Sequence, residues 1–107
     1  MIILPTPMFL RGIKALRKKY PSVREDLAKL YEELQEDPQQ GESLGKNCYK
    51  VRFLIASKRT GKRDNSRLIT CVRIQNNMIH LLDVYDKADR STVSDKELDN
   101  LIKQIEN

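Results

Sequence analysis

No stretch of this 107-residue chain approaches the roughly 20 consecutive apolar residues that a membrane-crossing helix needs. The opening Met-Ile-Ile-Leu-Pro has no basic segment and is too short for a signal peptide, so the expected location is cytoplasmic. Histidine occurs once, at His80, and cysteine twice, at Cys48 and Cys71, without a Cys-x-x-Cys spacing. That leaves no metal-site signature, and in a reducing compartment the two cysteines read as small buried thiols, not a disulfide. A Ser-His-Asp set, a Walker loop and the glycine fingerprint of dinucleotide sites are all missing. Any catalysis must therefore rest on lysine, arginine and tyrosine, with no cofactor.

What the chain does have is clustered positive charge. The segment from Lys46 to Arg73 holds nine of the twenty basic residues and one acid, Asp64, a local balance of +8 within a formal net charge of +5. The remainder is mildly acidic. Such a distribution is the electrostatic footprint of a polyanion site. Hydrophobic residues at 39% beside charged residues at 33% describe a folded chain, and the length suits one domain spanning 1–107.

The local patterns predict an α+β fold. Met1–Leu4 is an apolar segment, an edge strand stopped by Pro5. Thr6-Pro7 supplies a capping hydroxyl followed by proline at the first helical position, and Phe9, Ile13, Leu16 and Tyr20 mark one face of a helix. Ser22-x-x-Glu25 reads as a capping box opening a second helix, with Val23, Leu27, Leu30 and Leu34 inside and a stop near Asp37-Pro38. Gln39 to Gly45 reads as a polar loop. Alternation then predicts strands over Asn47–Ser57 and Arg67–Gln75, with Tyr49, Val51, Phe53 and Ile55 inward and Cys48, Lys50 and Arg52 outward. Gln75-Asn76-Asn77 suits a tight turn. A third strand, Met78–Tyr85, is apolar on both faces, and its pattern does not assign an inward side. Ser94-x-x-Glu97 opens a last helix with Leu98, Leu101, Ile102 and Ile105 inside. The expected architecture is two N-terminal helices packed on a small antiparallel β-sheet meander, with a C-terminal helix. The opposite sheet face would then hold Lys50, Arg52 and Arg67 in the open.

Those three cations share a face, and arginine grips phosphate through paired hydrogen bonds while lysine adds a point charge. Crowded like charges also disfavour protonation, which would push Lys50 toward a neutral, proton-accepting amine. The bland reading is a solvated sheet face. His80, alone on a central strand, reads as structural. The run Lys58-Arg59 and Lys62-Arg63 reads either as a mobile contact to a polyanion or acidic partner, or as solvated loop charge.

Several segments, in order and spacing, resemble the RelE/ParE toxin superfamily of type II toxin–antitoxin systems, in its RelE/HigB-like branch. They are Phe9…Leu16…Tyr20-Pro21-Ser22, Pro38-x-x-Gly41, Cys48-Tyr49-Lys50-Val51-Arg52, Gly61-Lys62-Arg63…Arg67-Leu68-Ile69 and Leu81-Leu82-Asp83-Val84-Tyr85-Asp86-Lys87. The resemblance implies a toxin that enters the ribosomal A site, cleaves translated mRNA without a metal, and is silenced by a cognate antitoxin. Carried over by position, the strand cations match Lys50 and Arg52, the phosphate-holding arginine matches Arg67, and Tyr85 and Lys87 lie nearest the late-strand aromatic and basic positions. On this reading Lys50 withdraws the 2′-hydroxyl proton and Arg52 and Arg67 hold the phosphoryl oxygens. Lys87 serves the departing 5′-oxygen, Tyr85 stacks on a base, and Lys58, Arg59, Lys62 and Arg63 contact ribosomal RNA. RelE-type members have a further arginine where this chain has Ala88, and a C-terminal tyrosine with no counterpart here. Two other readings follow: a ParE-like inhibitor of DNA gyrase, and a catalytically degenerate basic RNA-binding module.

Overall fold

The computed structural model describes residues 1–58, 65–90 and 92–106, and in chain order it places β1 (Ile2–Pro5), α1 (Pro7–Lys19), α2 (Val23–Glu36), β2 (Glu42–Gly45), β3 (Cys48–Phe53), β4 (Ser66–Arg73), β5 (Met78–Asp86) and α3 (Asp95–Ile102). The strands form one sheet in the order β1-β5-β4-β3-β2. No helix among the described residues is long and apolar enough to cross a membrane.

Two expectations about the sheet are corrected. It is mixed: β1 runs parallel to β5, with Ile2 opposite Met78 and Pro5 opposite Leu81. The polar stretch expected to be a loop contains β2, which pairs antiparallel with β3 so that Glu42 lies opposite Lys50. Lys46 and Asn47, at φ 56° and 62°, make the two-residue turn between them, a geometry that matches the twist of a hairpin. Four residues, Glu-Ser-Leu-Gly, are too few to display alternation, so β2 is invisible to pattern.

The helices form where their stripes and caps predict. Thr6 Oγ1 accepts from the Phe9 N–H at 3.4 Å and donates to the Leu81 carbonyl at 2.8 Å, so one hydroxyl caps α1 and ties it to β5. Ser94 and Glu97 form the reciprocal capping box at the start of α3. Ser22 does not cap α2. Its backbone is already helical (φ −80°, ψ −7°), and its hydroxyl bonds Asp26 at 2.7 Å and Ser57 at 2.8 Å, anchoring the chain that leaves β3. Asn77, at φ 56°, closes the β4–β5 turn as expected of asparagine.

Each sheet face has its own core. On one, Phe9, Leu16, Val23, Leu27, Leu30 and Leu34 of α1 and α2 pack on Val51, Leu68, Ile79, Leu81 and Val84. On the other, Leu98, Leu101 and Ile102 of α3 pack on Cys48, Ile69, Cys71, Leu82 and Tyr85. The double-sided character of β5 has a specific cause. Ile69 pairs with Asp83 but Thr70 pairs with Leu81, leaving Leu82 as an extra residue. This bulge shifts the parity of β5, so Ile79 and Leu81 face the helical pair before it and Val84 does so after it. A period-two reading fails there because the period itself breaks.

Helix and sheet approach closely at Gly12. A Cβ built there would meet the Val84 carbonyl oxygen at 2.5 Å and its Cγ1 at 2.9 Å. Gly12→Ala should lower the urea unfolding midpoint. Overpacking against a backbone oxygen costs about 1–3 kcal/mol, against about 1 kcal/mol gained in helix propensity. An unchanged or higher midpoint would show that α1 can lift from β5 freely.

Candidate functional site

The register brings together most of the residues singled out in the sequence. Arg52 lies directly opposite Arg67, and Arg67 directly opposite Tyr85, making one transverse row across β3, β4 and β5. Lys50 stands two residues along β3 on the same face, in the next row with Ile69 and Asp83. All of this lies on the α3 side of the sheet.

The face is not as open as expected. Arg52 is exposed, but Arg67 is 5% exposed and Tyr85 6%. The Lys50 ammonium is 3.0 Å from the Glu42 carboxylate, with the lysine side chain 12% exposed and the glutamate 58%. Two elements cause this: α3 packs over Tyr85, and β2 swings Glu42 alongside Lys50. Arg67 donates to the Ser66 carbonyl at 2.9 Å. The hydrogen bond from Lys50, then its charge and that of Arg52, hold the Glu42 carboxyl below its usual range. The like-charge crowding expected at Lys50 is thus offset by an acid hidden in what looked like a loop.

Sequence reasoning missed Arg90. Its guanidinium lies 4.1 Å over the Tyr85 ring, a cation–π contact, and it pairs with Asp83 and with Glu97, the latter at 3.1 Å. One face of Tyr85 is therefore already covered, and the ring is not presented to stack on a base. Burial raises the Tyr85 phenol above its ordinary value, against the opposing pull of Arg90. Burial likewise raises Asp83, with Arg90 working to lower it. The available signal was the placement of Arg90 shortly after β5 and seven residues before Glu97, the capping acid of α3.

The remaining expectations fall apart from this row. Lys87 stands exposed just past the end of β5, and its N–H donates to the Asn65 carbonyl at 3.0 Å. Lys58 is drawn inward instead of being held out as a mobile contact. Its ammonium meets Asp86 at 2.6 Å, with both side chains nearly buried, and the Tyr20 hydroxyl donates to the other Asp86 oxygen at 3.1 Å. Arg59, Lys62 and Arg63 lie outside the described residues. Among the described residues, no group of three or more histidine, cysteine or acidic side chains is placed to hold a metal ion.

This α+β architecture, a five-stranded mixed sheet with a C-terminal helix, is a RelE-like fold. The chain is similar to a double arginine-to-alanine variant of E. coli toxin RelE in the free state, with TM-score 0.61, 22% identity, and 97% of this chain and 96% of that chain covered. It is also similar to the isolated E. coli RelE toxin, with TM-score 0.56, 23% identity and 97% of each chain covered. No family model and no curated protein matches the chain.

Two measurements test this local chemistry. The Tyr85 hydroxyl is buried with no hydrogen-bond partner among the described residues. Tyr85→Phe should leave stability unchanged or raise it by up to about 1 kcal/mol, since a buried unsatisfied polar group is removed. A clear loss would reveal an unseen partner. At Asp86, burial works to raise the carboxyl, but Lys58, the Ala88 N–H and Tyr20 outweigh it and hold it below the ordinary aspartate value. A carboxyl lowered in the folded state stabilises above its unfolded pKa, and that contribution is lost as pH falls through the folded value. Asp86→Asn should cost roughly 3 kcal/mol at pH 7 by stranding Lys58. It should also flatten the fall in stability below about pH 4. An acid limb unchanged from wild type would exclude Asp86 as its source.

Proposed function

We propose that this chain is the toxin of a type II toxin–antitoxin pair and acts as a ribosome-dependent mRNA endoribonuclease. The observation that carries the reading is the cross-strand row of Arg52, Arg67 and Tyr85, with Lys50 beside it on the same face. A RelE-like toxin fold around that row adds support. The same likeness underlies the proposed partners: a cognate antitoxin that silences the chain, and mRNA and ribosomal RNA in the A site.

The reaction proposed is transesterification by the RNA's own 2′-hydroxyl. A phosphodiester entering over β3 meets Arg52 first, because Arg52 is the exposed member of the row. Its negative charge competes with Glu42 for Lys50, and the glutamate, more than half exposed, has room to swing out. Lys50, released from its acid and left as an amine once its ammonium proton passes to solvent, takes the 2′-hydroxyl proton. Arg52 and Arg67 stabilise charge growing on the phosphoryl oxygens, an electrostatic contribution often worth 100-fold or more, roughly, per donor. Lys87, exposed past β5, serves the departing 5′-oxygen. Arg90 holds the Tyr85 ring, which fixes the wall of the site instead of offering it to a base. DNA lacks the nucleophilic hydroxyl and should bind without being cut.

A second reading has its own support. Arg67 is nearly buried and Lys50 is tied to Glu42, an arrangement that suits a basic RNA-binding module without cleavage. Primer extension on a translated message separates the two. Wild type should give codon-phased cuts, reduced by about 100-fold or more in Lys50→Ala and in Arg52→Ala. RNA binding without any cuts would leave the binding module in place. Inhibition of DNA supercoiling with intact mRNA would instead favour a gyrase inhibitor.

A further inference from the structure

Cys48 and Cys71 face each other directly across β3 and β4. The Val72 N–H donates to the Asn47 carbonyl at 2.9 Å, so the hydrogen-bonded couple is the next one along. The cysteines therefore occupy a non-hydrogen-bonded position, where opposed Cα atoms approach to about 4.5 Å and side chains come closest. That separation falls inside the range of roughly 4.4–6.8 Å that a disulfide spans. Both sulfurs converge on one atom, the Lys46 carbonyl oxygen, 3.5 Å from Cys48 Sγ and 3.9 Å from Cys71 Sγ. Both thiols are free and fully buried, and nothing in the proposed nuclease chemistry uses them.

They are nevertheless close to solvent. An open cleft of about 540 Å³ lies beside the pair, with Lys46, Asn47, Arg73, Asp99 and Ile102 among its walls. Lys46 and Ile102 belong both to this cleft and to the shell around the thiols, so a single layer of residues separates the two. Ion pairs of Lys46 with Asp99 of α3, and of Arg73 with Glu106 beyond the end of that helix, lie beside that layer. A small uncharged oxidant needs less room than either ion pair occupies.

We infer that Cys48 and Cys71 form a peroxide-responsive dithiol that closes into an intramolecular cross-strand disulfide. Cys71 is the sulfur oxidised first. The neighbouring Cys48 thiol and the positive charge of Arg73 favour its thiolate against the opposing effect of burial. The Cys71 thiolate displaces hydroxide from hydrogen peroxide and becomes a sulfenic acid. Cys48 then attacks that sulfur, forming the S–S bond, while the departing hydroxide takes the Cys48 proton as water. In sum, two thiols and one peroxide give one disulfide and two waters. The bond would staple β3 to β4 at the end opposite Arg52 and Arg67.

The test uses the full chain, fully reduced and folded by circular dichroism, treated with hydrogen peroxide at a few equivalents and quenched. The expected result is a monomer lighter by about 2 Da, a digest fragment linking Cys48 to Cys71, resistance to alkylation, and full reversal by dithiothreitol. Unchanged mass, oxygen adducts without the mass loss, or disulfides formed between molecules would each overturn the inference.

Discussion

The structure depends on one displaced residue in an interior strand. β5 pairs with both β1 and β4 and carries a helical layer on each side, so its side chains must serve two cores. Regular alternation would give each core every second residue. The bulge at Leu82 lets Ile79 and Leu81 serve the first core, then Leu82 and Tyr85 the second, with Val84 returned to the first. A bulge also re-aims the side chains that follow it. Here it sets Tyr85 in line with Arg67, and Asp83 where Arg90 can reach it. The packing defect and the alignment of the candidate site thus have a single origin.

Around that alignment, each cation is matched to a neighbour of particular character. Lys50 meets Glu42, Lys58 meets Asp86, and Arg90 meets Asp83, Glu97 and an aromatic ring, while Arg52 stands exposed. The differences in exposure sort these pairs by consequence. Lys58 and Asp86 are both nearly buried, so breaking that pair strands a charge in a poor solvent. Glu42 lies more than half in water, where screening makes an ion pair cheap to exchange. A competing anion would therefore displace Glu42 well before it disturbed Asp86.

Much of this was legible in the residues. Alternation through Tyr49, Val51 and Phe53 predicted which side of β3 is buried, and parity alone put Lys50, Arg52 and Arg67 on one face. Thr6-Pro7 and Ser94-x-x-Glu97 announced their helices because capping is a local interaction. What escaped was non-local. Whether Tyr85 is open or covered depends on α3 folding back, and whether Lys50 has a partner depends on a four-residue strand. Ser22 had the right spacing for a capping box, yet its hydroxyl was claimed by Ser57, thirty-five residues away. The parallel pairing of β1 leaves no trace in composition.

That parallel pairing has a consequence for the order in which the molecule can assemble. Among the described residues, Ile2 to Pro5 find their strand neighbour in the segment from Met78 to Leu81, and Thr6 fastens its helix to carbonyls of Leu81 and Leu82. During vectorial synthesis β1 must wait for β5. Until then α1 and α2 have no completed sheet to cover, and their leucines stay wet. Closure over so long a loop makes this the late, slow step of folding.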